Sequence, residues 1–254
     1  MAQTPKSPSK TRLDLALCDR GFFETRARAQ AAIMAGLVKL NGAVESKAGH
    51  PVREDDVLEL VNDPCPYVSR GGLKLKAALE HFKVAVAGLV CLDVGASTGG
   101  FTDCFIKEGA ALAYAIDVGQ GQFSEKLISN PKIRFIPETN ARYLKADLFD
   151  PKPQVAAIDV SFISLKLILE PVINAMARPA DMLILIKPQF ELEPKKVPHG
   201  IVQSDEYRAE AVEGIRRFIA ERAQAMKLED SGLTHSPIKG AHGNREFLLH
   251  LRLR

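Results

Sequence analysis

Apolar residues fall into two regimes along this chain. From about residue 67 onward, short uninterrupted apolar runs alternate with longer stretches in which apolar positions recur every three to four residues. The runs are GLVCLDVG (88–95), ALAYAID (111–117), IRFIPE (133–138), VAAIDVS (155–161) and MLILIKP (182–188). Between them lie helical patterns, notably GGFTDCFIKEG, SLKLILEPVINAMA and DEYRAEAVEGIRRFIAERAQAM. This alternation predicts a largely parallel sheet with helices on both faces, an α/β fold of the Rossmann-like kind. Near the end the pattern changes. LEDSGLTHSPI and REFLLHLRL are two strand-like segments joined by KGAHGN, a loop too short for a helical crossover. The last strand is therefore expected to run antiparallel to its neighbours.

The first sixty residues pattern differently. Leu13, Leu15, Ala16 and Leu17 predict a short helix stopping at Gly21. Thr25 is placed to cap a second helix, whose apolar face would hold Ala29, Ile33 and Met34 and which would end at Gly36. LVKLNGAVES reads as a hairpin turning at Asn41-Gly42, and DDVLELV as a closing strand before the break at Pro64 and Pro66. The expected organisation is a disordered tail over 1–10, rich in Pro, Ser, Thr and Lys, a small α+β domain over 11–62, a linker over 63–68 and a large domain over 69–254. In SRGGLK (69–74), Gly71-Gly72 would form a turn entering the first helix of the large domain.

Charge adds one local asymmetry. The chain of 254 residues carries 34 Lys and Arg against 31 Asp and Glu, for a net charge of only +3. Within residues 1–39, however, Lys6, Lys10, Arg12, Arg20, Arg26, Arg28 and Lys39 face only Asp14, Asp19 and Glu24. Such an excess suits an anionic partner. The four cysteines show no CxxC spacing, and Cys91 and Cys104 sit in apolar runs, as reduced cytosolic thiols do. The first ten residues lack the apolar core of a secretory signal, and no apolar run is long enough to span a bilayer. A cytoplasmic protein is expected, with no membrane or DNA partner and no metal site.

The chemistry-bearing residues concentrate in the large domain. LDVGASTGGFTD (92–103) reads as strand, glycine-rich turn and helix start, with glycines at 95, 99 and 100. Such a turn lets a ligand approach the backbone, and Asp117 at the end of the next strand is placed to grip ribose hydroxyls. Asp93, Gly95, Gly99 and Asp117 are the expected cofactor residues, with Asn140 in ETNARYL at the adenosine end. These alone suit any nucleoside cofactor, including that of a nicotinamide dehydrogenase. Parallel sheets bind ligands at the carboxyl ends of their strands. Asp159 and Lys187 end two strands, Glu246 would begin the antiparallel one, and Lys74 would begin a helix leading into the Asp93 strand. All four are expected on one rim.

Two resemblances sharpen this. Residues 11–62, through RLD, TRARAQAAIMAGLVKLNG and the closing strand, resemble the small RNA-binding domain first described in ribosomal protein S-four. That resemblance implies an RNA-facing surface containing Arg12, Arg26, Arg28 and Lys39, with Arg70 in the next segment a further phosphate contact. SRGGLKL, DVGASTGGFTD, DVSFISL, LIKPQF and GNREF are similar to the TlyA family of ribosomal RNA methyltransferases, which joins such a domain to an FtsJ-like one. Thr98 stands where FtsJ proteins usually have proline. The resemblance implies S-adenosylmethionine as cofactor and ribose 2′-O-methylation of cytidine in 16S and/or 23S ribosomal RNA within ribosomal subunits. It also implies a catalytic tetrad of Lys74, Asp159, Lys187 and Glu246. Lys187 would act as base or as a charged stabiliser of the developing oxyanion, and sequence leaves both open. A non-catalytic ribosome-binding factor and a membrane-active haemolysin are the competing readings. Sequence leaves the oligomeric state undetermined.

Overall fold

The computed structural model describes residues 10–23, 25–34, 36–61, 65–240 and 243–254. The expected disordered tail lies outside these except for Lys10, as do positions 63–64 of the expected linker and positions 241–242 of the last loop. By its internal contacts the chain divides into Met1–Pro64 and Cys65–Arg254.

In the first unit, β1 (Thr11–Arg12) leads into α1 (Leu13–Asp19), and α2 (Arg26–Met34) follows. The Thr25 hydroxyl accepts from the Arg28 amide at 3.3 Å, so it caps α2 at the expected place. Leu13, Ala16 and Leu17 of α1 pack on Ala29, Ala32 and Ile33 of α2. Met34 was expected on this face, but it is 78% exposed. It follows Ile33 by one residue, a 100° step that carries it off the apolar stripe. Next come β2 (Val38–Leu40), β3 (Ala43–Val44), β4 (Pro51–Val52) and β5 (Leu58–Leu60). The β2–β3 hairpin turns through Asn41 and Gly42, both at positive φ, as a two-residue turn of this type requires. β5 pairs with β2 and β4 with β1.

The second unit contains α3 (Gly71–Phe82), β6 (Val90–Val94), α4 (Gly100–Lys107), β7 (Leu112–Ile116), α5 (Glu125–Ile128), β8 (Ile133–Ile136), β9 (Val155–Ile158), α6 (Leu169–Ala175), β10 (Ala180–Ile186), α7 (Asp205–Ala220), α8 (Ala223–Met226), β11 (Leu228–His235) and β12 (Phe247–Leu253). Among the described residues they build a seven-stranded sheet in the order β11-β12-β10-β9-β6-β7-β8. β12 alone runs against its neighbours β10 and β11, and the other pairings on the β6 side are parallel. Leu75, Leu79, Phe101 and Phe105 from α3 and α4 cover one face. Val172, Ile173, Val212 and Ile215 from α6 and α7 cover the other. Cys91 and Cys104 are free thiols in the first of these layers, each pushed up to about 12 by burial.

The start of this unit corrects the reading of SRGGLK. Gly71 and Gly72 are the first residues of α3 and not a turn ahead of it. A Cβ on Gly72 would stand 2.3 Å from Cγ of Tyr67, so the glycine exists to admit that ring. The neighbouring residues, expected as linker, are fastened to α4. The Val68 amide donates to Asp103 Oδ2 at 2.8 Å, and Lys107 donates to the Pro66 carbonyl while lying over the Tyr67 ring.

Candidate active site

Because β12 opposes β10, its start lies at the same sheet edge as the ends of β9 and β10. Ile186 pairs with Phe247, and the next residues outward are Lys187 and Glu246. Ile184 pairs with Ile158, after which Asp159 emerges, its amide donating to the Val94 carbonyl at the end of β6 (2.9 Å). Lys74 arrives from the first turn of α3.

These four side chains form two ion pairs of different character. Lys74 Nζ lies 2.6 Å from Glu246 Oε2, and both residues are buried. An ammonium stripped of water and partner costs several kcal/mol, so each group makes the burial of the other tolerable. Lys187 Nζ lies 2.5 Å from Asp159 Oδ1 and donates to Ser161 Oγ at 2.9 Å. This second pair keeps some access to solvent, and Asp159 and Ser161 line a cleft of about 520 Å³.

The cleft sits outside the ends of β6 and β9, where the strand order reverses. Open α/β sheets place their ligands at this point. Gly95 forms part of its wall at φ +85°, and a Cβ there would stand 2.4 Å from the Asp159 carbonyl. No other residue lets the turn after β6 approach β9 so closely. Asp117 lines the cleft too, its oxygens accepting from the Ser97 and Gly119 amides at 2.7 Å each. Asn140 is on the lining with Ala141, and its Oδ1 accepts from the Arg142 amide. Val94, Ile116, Val118 and Ile163 supply apolar walls. A volume in the range of small-molecule sites, a glycine cradle, a fixed carboxylate and apolar walls together fit a nucleoside.

Two expected cofactor residues are not on this lining. Asp93 is wholly buried behind it, and its Oδ2 accepts from the Thr102 amide (2.9 Å) and hydroxyl (2.6 Å). Gly99, the residue ahead of α4, has no side chain with which to cap that helix, so the neighbouring strand supplies the carboxylate. Burial pushes the Asp93 carboxyl up to about 7, with the nearby Asp159 adding to the shift against the Thr102 hydrogen bonds. Gly99 itself, at φ +92°, makes room for Leu127 and Phe123.

The expected RNA contacts also resolve into different environments. Arg12 and Arg26 converge on the buried carboxylate of Asp14, at 3.0 and 2.8 Å, with Gln30 adding a third donor. The hydrogen bond from Arg12 leads in holding Asp14 well below the usual carboxylate range. Both arginines thus brace the first unit while staying half exposed. Arg28 is exposed on α2, Lys39 is half-buried in β2, and Arg70 is exposed just ahead of α3 in the other unit.

Sequence reasoning passed over Ser161 and Phe162 beside Asp159. Phe162 is 91% exposed at φ +63° and packs at 5.1 Å on Phe190. An exposed phenylalanine held in the left-handed region beside a polar site was a signal only the backbone could give. Among the described residues no cluster of three or more metal-ligating side chains occurs, and no helix is long and apolar enough to cross a membrane.

Comparison with known proteins agrees with this geometry. Residues 67–253 match the FtsJ-like methyltransferase family, and residues 11–58 match the S4 domain. A Bacillus subtilis protein named as a candidate rRNA methyltransferase, YqxC, is 44% identical over 245 residues, covering 95% of this chain and 85% of that one. The 16S/23S rRNA (cytidine-2′-O)-methyltransferase TlyA of Mycobacterium tuberculosis is 39% identical, over 96% of this chain and 90% of its own. A solved structure from Streptococcus thermophilus, described as a candidate hemolysin, superimposes with a TM-score of 0.73 at 39% identity, covering 97% of this chain and 90% of that one. With both segments matched and relatives spanning nearly its whole length, the chain belongs to the FtsJ-like methyltransferases, among the TlyA-type proteins that carry an S4 domain ahead of the methyltransferase fold.

Proposed function

We propose that this protein transfers a methyl group from S-adenosylmethionine to the ribose 2′-oxygen of a cytidine in ribosomal RNA. The observation that carries the reading is the Lys187–Asp159 pair, set at the edge of a nucleoside-sized cleft whose wall is Gly95. In this reading Gly95, Asp117 and Asn140 hold the cofactor, which supplies an electrophilic sulfonium methyl. The apolar walls receive its base.

A ribose hydroxyl is a weak nucleophile at neutral pH, so alignment and charge stabilisation must supply most of the acceleration. Lys187 donates to the Ser161 hydroxyl and lies in ion-pair contact with Asp159, so its ammonium still has a proton to offer a further acceptor. We assign that proton to the 2′-oxygen. Both Asp117 oxygens already accept backbone amides, whereas Asp159 belongs to the reacting edge and is the acceptor for the proton the hydroxyl sheds. Lys74 and Glu246, buried beside them, hold that edge in shape. The first unit supplies affinity through cations on RNA phosphates, with Arg28 and Lys39 the main contacts.

The test is tritiated methyl incorporation into ribosomal subunits prepared from cells lacking the enzyme. Incorporation mapping to a cytidine 2′-oxygen and lost in Lys187→Ala is expected; transfer that survives unchanged in that variant sinks the site assignment. A pH–rate profile of single turnovers on saturated enzyme separates the two roles of Lys187. An ionisation that disappears on Lys187 substitution would make it the base and overturn the stabiliser role.

A further inference from the structure

Lys187 leaves β10 into an irregular segment that runs to Ser204, the cap of α7. Glu246 ends the connection from β11 to β12. One buried side chain stitches these segments together. Asn244 is 2% exposed; its Oδ1 accepts from the Val202 amide at 3.0 Å, and its Nδ2 donates to the Gly200 carbonyl at 2.8 Å. Its own carbonyl accepts from the Gly240 amide (2.9 Å), and the Ser236 amide donates to the Glu246 carbonyl (2.9 Å). Gly240 in turn lies so close to the catalytic edge that a Cβ there would stand 1.9 Å from Glu246 Oε1. A second stitch runs beside the first. Arg245 reaches Asp205 at the head of α7 (3.3 Å), and Arg208 holds that same carboxylate and the Val202 carbonyl (2.6 Å).

We propose that Asn244 is a positioning residue that sets the Lys74–Glu246 pair in register with the Lys187–Asp159 pair, acting through Glu246. This rests on the methyl-transfer reading above. Asn244 binds neither substrate nor reacting atoms. It ties the segment leaving Lys187 to the segment entering Glu246, so the two pairs move as one body. A carboxamide suits the task because it offers a donor and an acceptor on one rigid plane. Alanine would leave the Val202 amide and Gly200 carbonyl without their partner, and aspartate would lose the donor. Misplacement of a supporting group by about 1 Å is enough to slow chemistry roughly a hundredfold.

The experiment compares Asn244→Ala, Glu246→Gln and the double variant in the full chain. Methyl transfer to ribosomal subunits gives kcat and KM, and hydrogen exchange of peptides covering residues 198–204 reads the stitch itself. Asn244→Ala is expected to lower kcat about ten- to a hundredfold with KM for RNA nearly unchanged. Exchange over residues 200–202 should quicken, and the double variant should be no slower than Glu246→Gln alone. Losses that multiply in the double variant, or unaltered exchange, overturn the proposal. Should Asn244→Ala lose its cooperative melt, Asn244→Asp, which keeps the acceptor for Val202, is judged by the same readouts. An unmodified chain that transfers no methyl overturns the proposed function instead, and the exchange result then decides the stitch alone.

Discussion

At the scale of single residues, the acid of the glycine turn changes meaning most. A strand-end aspartate before a glycine turn reads from sequence as a ligand contact, yet Asp93 caps α4 from inside the protein. Its carboxyl is pushed up to about 7 from 3.8. The folded state therefore binds a proton that the unfolded chain has already released between these values, so stability from this group falls as pH rises through that window. Asp93→Asn removes the titration. Thermal melts should show the wild type losing ground to the variant between about pH 4 and about pH 7; parallel curves would contradict the assignment. Phe162 makes the opposite case, an apolar side chain placed outside. We expect it to stack on a base of the substrate, where base–aromatic stacking contributes about 1–3 kcal/mol. Phe162→Ala should lower kcat/KM for RNA by roughly ten- to a hundredfold; an unchanged kcat/KM would contradict the stacking role. The four charged residues at the sheet edge were legible because topology alone brings strand ends together. Phe162 and Ser161 were not, because a positive φ and a hydroxyl contact leave no period in the chain.

At the scale of elements, the apolar runs mapped onto β6 to β12 with ends shifted by one to a few residues, and the short final loop correctly implied an antiparallel strand. Length and period suffice for that, since a doubly covered strand must be apolar throughout. The start of α3 was less legible. Two adjacent glycines look the same in sequence whether they bend the chain or admit a neighbour, and only Tyr67 distinguishes the cases. Gly72→Ala is accordingly expected to overpack this junction and cost about 1–3 kcal/mol in denaturant melts. A hinge role predicts little change in stability. α5 has four residues and no amphipathic repeat to announce it.

At the scale of the whole molecule, the cationic excess of the first forty residues divides into bracing and binding. Arg12 and Arg26 serve Asp14, and Arg20 donates to the carbonyls of Arg53, Glu54 and Asp56. Composition shows the excess, but which cations are engaged emerges only with the fold. Arg28→Ala and Lys39→Ala should each flatten the dependence of RNA affinity on salt, by about 0.7–0.9 in the log–log slope per lost phosphate contact. The melting of Lys39→Ala should stay near wild type. Arg26→Ala should lower the melting temperature as well, because it also strips a donor from a buried carboxylate; equal melting in Lys39→Ala and Arg26→Ala would refute the division.

The position of β12 has a consequence for how the protein is made. This strand leaves the ribosome after β10 and β11, yet it belongs between them, and its first residue adjoins Glu246. Until it inserts, a nascent chain presents two unpaired strand edges, surfaces that readily recruit other strands. Glu246 is also not yet held in place beside Lys74. Completion of the sheet and of the Lys74–Glu246 pair thus coincide in one late zippering step, and a chain cut before residue 246 would be sticky as well as short of that pair.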